Sequence, residues 1–168
     1  IDFWGKLLKR KNFLGKIMQK NQIYQVLKKY LSCWKKLKKA GIIRSNNLTA
    51  DIGEYFVCEK LKLKQVKQGN MGFDAKNKYG KKYEIKTRKA STKNAENLVF
   101  PIYNESPYLF DYLVLANLDY YFRIERLIII PKRLIRKYKK KYRIYISNKL
   151  IEERGVKVKY YGKNWIWI

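Results

Sequence analysis

The chain has 168 residues, of which 40 are Lys or Arg, 13 are Asp or Glu and none is His, for a formal net charge of +27. That length suits one domain with a small appendage, and a hydrophobic content of 46% excludes a wholly disordered chain. No apolar run approaches the roughly 20 residues that span a bilayer, and the N-terminus is too charged for a signal peptide.

The charge is spread over the whole length, and self-repulsion on that scale points to a polyanionic partner. Nucleic acid fits best, through phosphate contacts and counterion release, with anionic membrane second and confined to the N-terminal segment. Part of the charge also follows from the richness in Lys, Asn, Ile and Tyr that an AT-rich genome imposes. The chain opens at Ile1 without methionine, as a fragment or a processed product would. Cys33 and Cys58 have no metal or disulfide spacing and are expected to be two buried free thiols in a reducing compartment.

In chain order, residues 3–20 carry Phe3, Trp4, Leu7, Leu8, Leu14, Ile17 and Met18 among basic residues, which predicts a short basic helix or a pair of them. From Asn21 to Lys39, Ile23, Leu27, Tyr30, Trp34 and Leu37 recur every three or four residues, the pattern of an amphipathic helix stopped at Ala40-Gly41. That helix either packs on the core with solvated lysines or grips a polyanion. Asn46-Asn47-Leu48-Thr49 is read as the loop and N-cap of a second helix, Ala50 to Leu61, in which Gly53 leaves room for close packing. Lys64–Gln68, Phe73–Asn77 and Lys82–Lys89 read as strands, the last two joined by the turn Lys78-Tyr79-Gly80-Lys81.

A polar loop is expected over Ala90–Asn97 and a strand over Leu98–Tyr103. A buried strand follows at Asp111–Leu118 and a further one at Tyr121–Ile130. Pro131 then suits the first turn of a helix over Lys132–Lys140. Arg143–Ser147 reads as a strand and Asn148–Arg154 as a helical turn. Val156–Ile168 reads as an irregular or strand-like tail, where Trp165 and Trp167 suggest an edge strand or a dimer contact. The fold class is α/β (α+β): a central mixed sheet flanked by helices, with a basic helical extension over 1–45 and the main domain over 46–168.

In so basic a chain, carboxylates are scarce, and their placement is informative. Asp74 opens one short strand and Glu84 lies on the next. Alternation puts Glu84, Lys86 and Arg88 on one face and Tyr83, Ile85 and Thr87 on the other. Two carboxylates beside an ammonium suit hydrolysis of a phosphodiester. Asp74 and Glu84 can supply oxygen ligands to a divalent cation, the Ile85 carbonyl a neutral one, and Lys86 can orient water or neutralise a phosphoryl oxygen. Glu54, on the preceding helix, is a third acid if that end of the helix faces the strands; otherwise it is a surface glutamate. The competing reading of Asp74 is a plain turn residue. Arg88, Lys89 and Lys93 follow immediately and either touch a nucleic-acid backbone or form a solvated loop.

These residues resemble the PD-(D/E)XK nuclease superfamily, which includes restriction endonucleases and Holliday junction resolvases. The resemblance runs from about Leu48 to Lys89. Gly53-Glu54 is similar to the early helix glutamate, Asp74 to the motif aspartate, and Glu84-Ile85-Lys86 to the glutamate-x-lysine element. Phe73 stands where proline precedes the aspartate in the motif's name. The resemblance implies a restriction-endonuclease-like fold, a DNA substrate and Mg²⁺, with Mn²⁺ able to substitute. It makes Asp74 and Glu84 the metal ligands, Lys86 the catalytic lysine and Glu54 an accessory ligand.

Other chemistries lack their residues. Without histidine there is no imidazole base, no His-Asn-His nuclease site and no Ser-His-Asp triad. There is no GxxxxGK[ST] loop, no Rossmann fingerprint and no four-ligand zinc set. The sequence therefore leads to a Mg²⁺-dependent DNA endonuclease, homodimeric if it breaks both strands, with no membrane partner and no small-molecule cofactor. It would work in the cytoplasm with the nucleoid, or in an organelle with an AT-rich genome. The alternative is a non-catalytic basic nucleic-acid-binding protein that keeps the fold, alone or as a subunit of a larger assembly.

Overall fold

A computed structural model describes residues 20–67, 72–89, 99–102 and 109–161. The chain divides into two compact units, Ile1–Gly41 and Ile42–Ile168. Among the described residues of the first unit there is one helix, α1 (Lys20–Lys39). It carries no acidic residue, and Ile23, Val26, Leu27, Tyr30 and Leu31 are exposed along it. Gly41 takes a positive φ of 73° just past its end, the conformation that stops a helix cheaply. Cys33 is exposed on this helix, against expectation, whereas Cys58 of the second unit is buried. No helix among the described residues is long and apolar enough to cross a membrane.

The second unit contains, in order, α2 (Leu48–Leu61), β1 (Lys64–Gln65), β2 (Ala75–Lys76), β3 (Lys82–Lys89), β4 (Val99–Pro101), β5 (Tyr112–Leu118), β6 (Ile124–Pro131), α3 (Lys132–Tyr138), β7 (Lys139–Lys140), β8 (Arg143–Tyr145), α4 (Asn148–Ile151) and β9 (Lys157–Tyr160). Six strands form one mixed sheet in the order β1-β2-β3-β5-β6-β9, and β4-β8-β7 form a small antiparallel sheet. Within the larger sheet only β3 and β5 are parallel, with Glu84 beside Leu113 and Lys86 beside Leu115. The α+β class and the central mixed sheet are those expected.

Alternation along β5 and β6 divides the apolar residues between two cores. Val114, Ala116, Leu127 and Ile129 pack with Val57 and Cys58 of α2 and with Ile85 of β3. Leu113, Leu115, Ile128 and Ile130 face the other way, onto Phe100 and Ile144 of the small sheet, Leu134 and Ile135 of α3, and Leu150 of α4. The central sheet is thus covered on one face by α2 and on the other by the small sheet with its two short helices. β5 is buried along almost its whole length, as its uninterrupted apolar run predicts.

Several boundaries differ from expectation, each for a local reason. The second helix begins two residues early, at Leu48, because the Asn47 side chain accepts a hydrogen bond from Ala50 N at 3.1 Å. The strand after Asp119 begins at Ile124 and not at Tyr121. The Asp119 carboxylate accepts from the backbone of Tyr121 (2.8 Å) and Arg123 (2.9 Å), holding those residues in a turn with Phe122 at a φ of 63°. Helix α3 stops at Tyr138 because Lys139 turns extended and pairs with the buried Ile144 of β8. The strand expected over Phe73–Asn77 pairs as β2 only at Ala75–Lys76. Trp165 and Trp167 lie outside the described residues, as do the 3–20 helix, except for Lys20, and the 90–97 loop.

Candidate functional site

Asp74 immediately precedes β2, where the pairing of that strand with β3 gives out. Its backbone is still tied to both neighbours, donating to the Tyr83 carbonyl (2.8 Å) and accepting from Val66 N (2.9 Å). Beyond that rung the ladder is continued by the side chain: Asp74 Oδ2 accepts from Ile85 N at 2.7 Å. The carboxylate is thereby fixed on the peptide that joins Glu84 to Ile85. Gly72, two residues earlier, has a φ of 90°, and a Cβ there would lie 2.6 Å from Leu109, so the turn into Asp74 requires glycine. Phe73, in place of the motif's proline, packs against the core around Leu113, with the Lys76 and Lys82 ammonium groups over its ring.

Glu84 and Lys86 share one face of β3, as alternation requires, and form an ion pair of 2.5 Å between Glu84 Oε1 and Lys86 Nζ. Ile85, between them, points into the core beneath α2. Glu54 reaches the same neighbourhood because α2 lies very close to β3. A Cβ on Gly53 would be 2.2 Å from Thr87 Cγ2, and the Thr87 hydroxyl donates to the Thr49 carbonyl at 3.1 Å. Only a glycine lets the helix approach this far, and Glu54 is the next residue.

The electrostatics tie the four groups together. Burial, then the charge of Asp74, pushes Glu54 up to about 7, against the opposing pull of Arg44 and Lys86. Burial, then the charge of Glu84, raises Asp74 to about 6, although the hydrogen bond from Ile85 and the charges of Lys86 and Arg44 act the other way. Burial alone would lower Lys86, but Glu84, Asp74 and Glu54 outweigh it and its proton is held more tightly than in water. The structure therefore brings Glu54, Asp74, Glu84 and Lys86 within range of one another's charge. Among the described residues, no three Asp, Glu, Cys or His groups are arranged to hold a metal ion between them. Asp74 and Glu84 are a donor set of the hard-oxygen kind that Mg²⁺ takes, since that ion keeps several waters and needs only one or two carboxylates; the peptide contact at Ile85 is its N–H on Asp74, which is not a metal ligand.

Two residues of this neighbourhood escape a reading of the sequence. Arg44 forms an ion pair with Glu54 and donates from Nη1 to the Val66 carbonyl at 2.9 Å, bridging α2 to the end of β1. Asp51 is buried and accepts from the backbone of Arg44 (2.9 Å) and Ser45 (2.6 Å), which fixes the loop that carries Arg44. Their only signal in the sequence is position, an arginine just ahead of a helix cap and an acid in the first turn. Neither reveals a partner as distant as Val66.

The remaining expected contacts diverge. Arg88 follows Glu84 and Lys86 on their face and donates to the Val99 carbonyl of β4 at 3.0 Å. Lys89 turns the other way and places its ammonium 4.1 Å from the Phe122 ring and 4.6 Å from Tyr120. Lys93 lies outside the described residues. Beside Arg88 on β5, Asn117 is buried, and its Oδ1 has no hydrogen-bond partner among the described residues. No protein-family model matches this chain, and no curated protein matches it.

Proposed function

We propose that the second unit is a Mg²⁺-dependent DNA endonuclease of the PD-(D/E)XK kind. The observation that carries this is the convergence of Asp74, Glu84 and Lys86 where β2 parts from β3, with Glu54 brought in by the Gly53 contact. Buried carboxylates that raise one another's pKa are short of positive charge, and a divalent cation offsets that deficit. Asp74 and Glu84 would hold it. When bound there, Mg²⁺ polarises a phosphoryl oxygen and lowers the pKa of a water.

The chain's own groups supply the rest. Lys86, firmly protonated, presents a fixed cation to the phosphate and to the attacking water. Glu54, near 7, can take up and return a proton at neutral pH. The +27 charge of the whole chain raises the local concentration of DNA around the site. Two copies, each cutting one strand, suit a duplex break. The place of action is wherever the cell keeps its DNA, the nucleoid-bearing cytoplasm or an organelle with an AT-rich genome.

A second reading is favoured by the ion pairs that already occupy Glu54 and Glu84: a basic binder that keeps the fold without the chemistry. One experiment separates the two. Supercoiled plasmid is incubated with the protein in Mg²⁺, in EDTA, and in Mg²⁺ with Lys86→Ala. Nicking that needs the metal and falls at least about a hundredfold in the variant supports the nuclease. Tight binding without cleavage in Mg²⁺ or Mn²⁺ supports the binder.

A further inference from the structure

Beside Arg88, a cleft of about 570 Å³ is lined by Thr87, Arg88, Val99, Pro101, Tyr142 and Arg143. Its volume lies in the range of sites that hold one small organic ligand. Among the described residues, its lining combines two guanidiniums, a phenol and the apolar surfaces of Val99 and Pro101, with no carboxylate. One guanidinium is fixed, because Arg88 donates to the Val99 carbonyl at 3.0 Å.

The phenol is presented deliberately. Lys140 pairs with Arg143, so Lys141 and Tyr142 make a two-residue hairpin turn between β7 and β8. Lys141 takes a φ of 51° there, a strained conformation for a lysine and one in which glycine is usual. The turn is pinned to the end of β4 by Ile102 N, which donates to the Tyr142 carbonyl at 2.7 Å. Tyr142 lines the cleft and is 56% exposed. An exposed aromatic side chain and two arginines lining one cleft fit a planar anionic ligand.

We infer that this cleft receives an unpaired nucleotide next to the scissile phosphate, its base against Tyr142 and Pro101 and its phosphate on Arg88 and Arg143. Arg88 is two residues from Lys86 on the same face of β3, about 6.6 Å along the strand. That is of the order of the spacing between neighbouring phosphates in an extended single strand. A base can enter such a cleft only when it is out of the duplex stack. The substrate is therefore DNA with an unpaired nucleotide at the cut, such as a flap, an overhang or a mismatch, in preference to a continuous duplex. The inference rests on the proposed nuclease reading for the position of the cut, but the binding itself does not depend on catalysis.

The test is fluorescence anisotropy of the full chain without divalent metal, at one salt concentration, using labelled oligothymidylate and a blunt duplex of equal length. Tyr142→Ala is expected to weaken the single strand about tenfold and leave the duplex unchanged, as loss of one stacked base would. Tyr142→Phe should bind like the wild type, and Arg143→Gln should weaken the single strand alone. Equal losses on both probes, no loss on either, or a Phe variant as weak as the Ala variant would each overturn the inference. Because no metal is present, a protein that never cleaves DNA can still pass this test, and an active nuclease can fail it.

Discussion

Asp74 has two duties, and they call for different substitutions. Its carboxylate replaces a missing rung of the β2–β3 ladder by accepting from Ile85 N, and it is also a candidate ligand. Asp74→Ala would leave a buried N–H unsatisfied, which costs about 1–3 kcal/mol irrespective of any chemistry. Asp74→Asn keeps an oxygen that can accept from Ile85 while removing the charge. We expect the Asn variant to melt within about 1 kcal/mol of the wild type in urea yet lose cleavage at least about a hundredfold, with the Ala variant losing both. An Asn variant that cuts DNA normally would confine Asp74 to the structural duty.

The raised carboxylates set a pH dependence with a definite sign. Glu54 at about 7 and Asp74 at about 6 hold protons in the folded chain that the unfolded chain has released by then. Between the ordinary carboxylate range and neutrality the folded state therefore binds more protons, and stability falls as pH rises. The contribution is complete below about pH 4 and is lost as pH rises through about 6 for Asp74 and about 7 for Glu54. For Glu54 it amounts to at most roughly 3 kcal/mol. Glu54→Gln should flatten the slope of the thermal midpoint against pH over that window. Mg²⁺ should raise the midpoint of the wild type more at about pH 7.5 than at about pH 5, because a cation competes with those protons. A Mg²⁺ effect independent of pH would mean that the ion binds elsewhere.

Among elements, the approach of α2 to β3 decides whether Glu54 belongs to the site at all. A methyl group on Gly53 would overlap the Thr87 side chain, and Thr87 cannot swing away without giving up its bond to the Thr49 carbonyl. Gly53→Ala should cost about 1–3 kcal/mol through overpacking, despite alanine's better helix propensity. It should also lower cleavage by shifting Glu54, and denaturant midpoints with plasmid nicking read the two effects separately. A variant as stable as the wild type would show that the helix can back off freely.

Much of this was legible because it is local. The β2–β3 turn, the alternation that puts Glu84 beside Lys86 and the small residue ahead of Glu54 all act within a few residues of one another. The Arg44 bridge to Val66 and the parallel alignment of β3 with β5 were not, because each joins segments that only the closed fold brings together. Likewise the turn at Tyr121–Arg123 depends on Asp119 accepting from two backbone amides that follow it, which outweighs the strand propensity of a tyrosine and a phenylalanine.

At the scale of the whole molecule the charge of +27 acts on folding and on binding in opposite directions. Without a partner, like charges repel, and added salt screens them, so the thermal midpoint of the free protein should rise with KCl at low ionic strength. With DNA present, the same lysines and arginines release counterions from the phosphates, and salt opposes that release. A chain that contacts six or more phosphates should lose affinity for a blunt duplex with a log–log slope of about −5 or steeper. One KCl series on the full chain, melted alone and titrated with labelled duplex in EDTA, measures both trends. Rising stability with a steep fall in affinity would mean that the basic surface is organised to receive a polyanion. Rising stability with a slope shallower than about −2 would mean that most of the charge is dispersed by base composition and makes no phosphate contacts. The Lys86→Ala variant should shift the slope by less than about one, since a single lysine contributes one phosphate contact at most. Its loss of cleavage would then be a loss of chemistry and not of DNA.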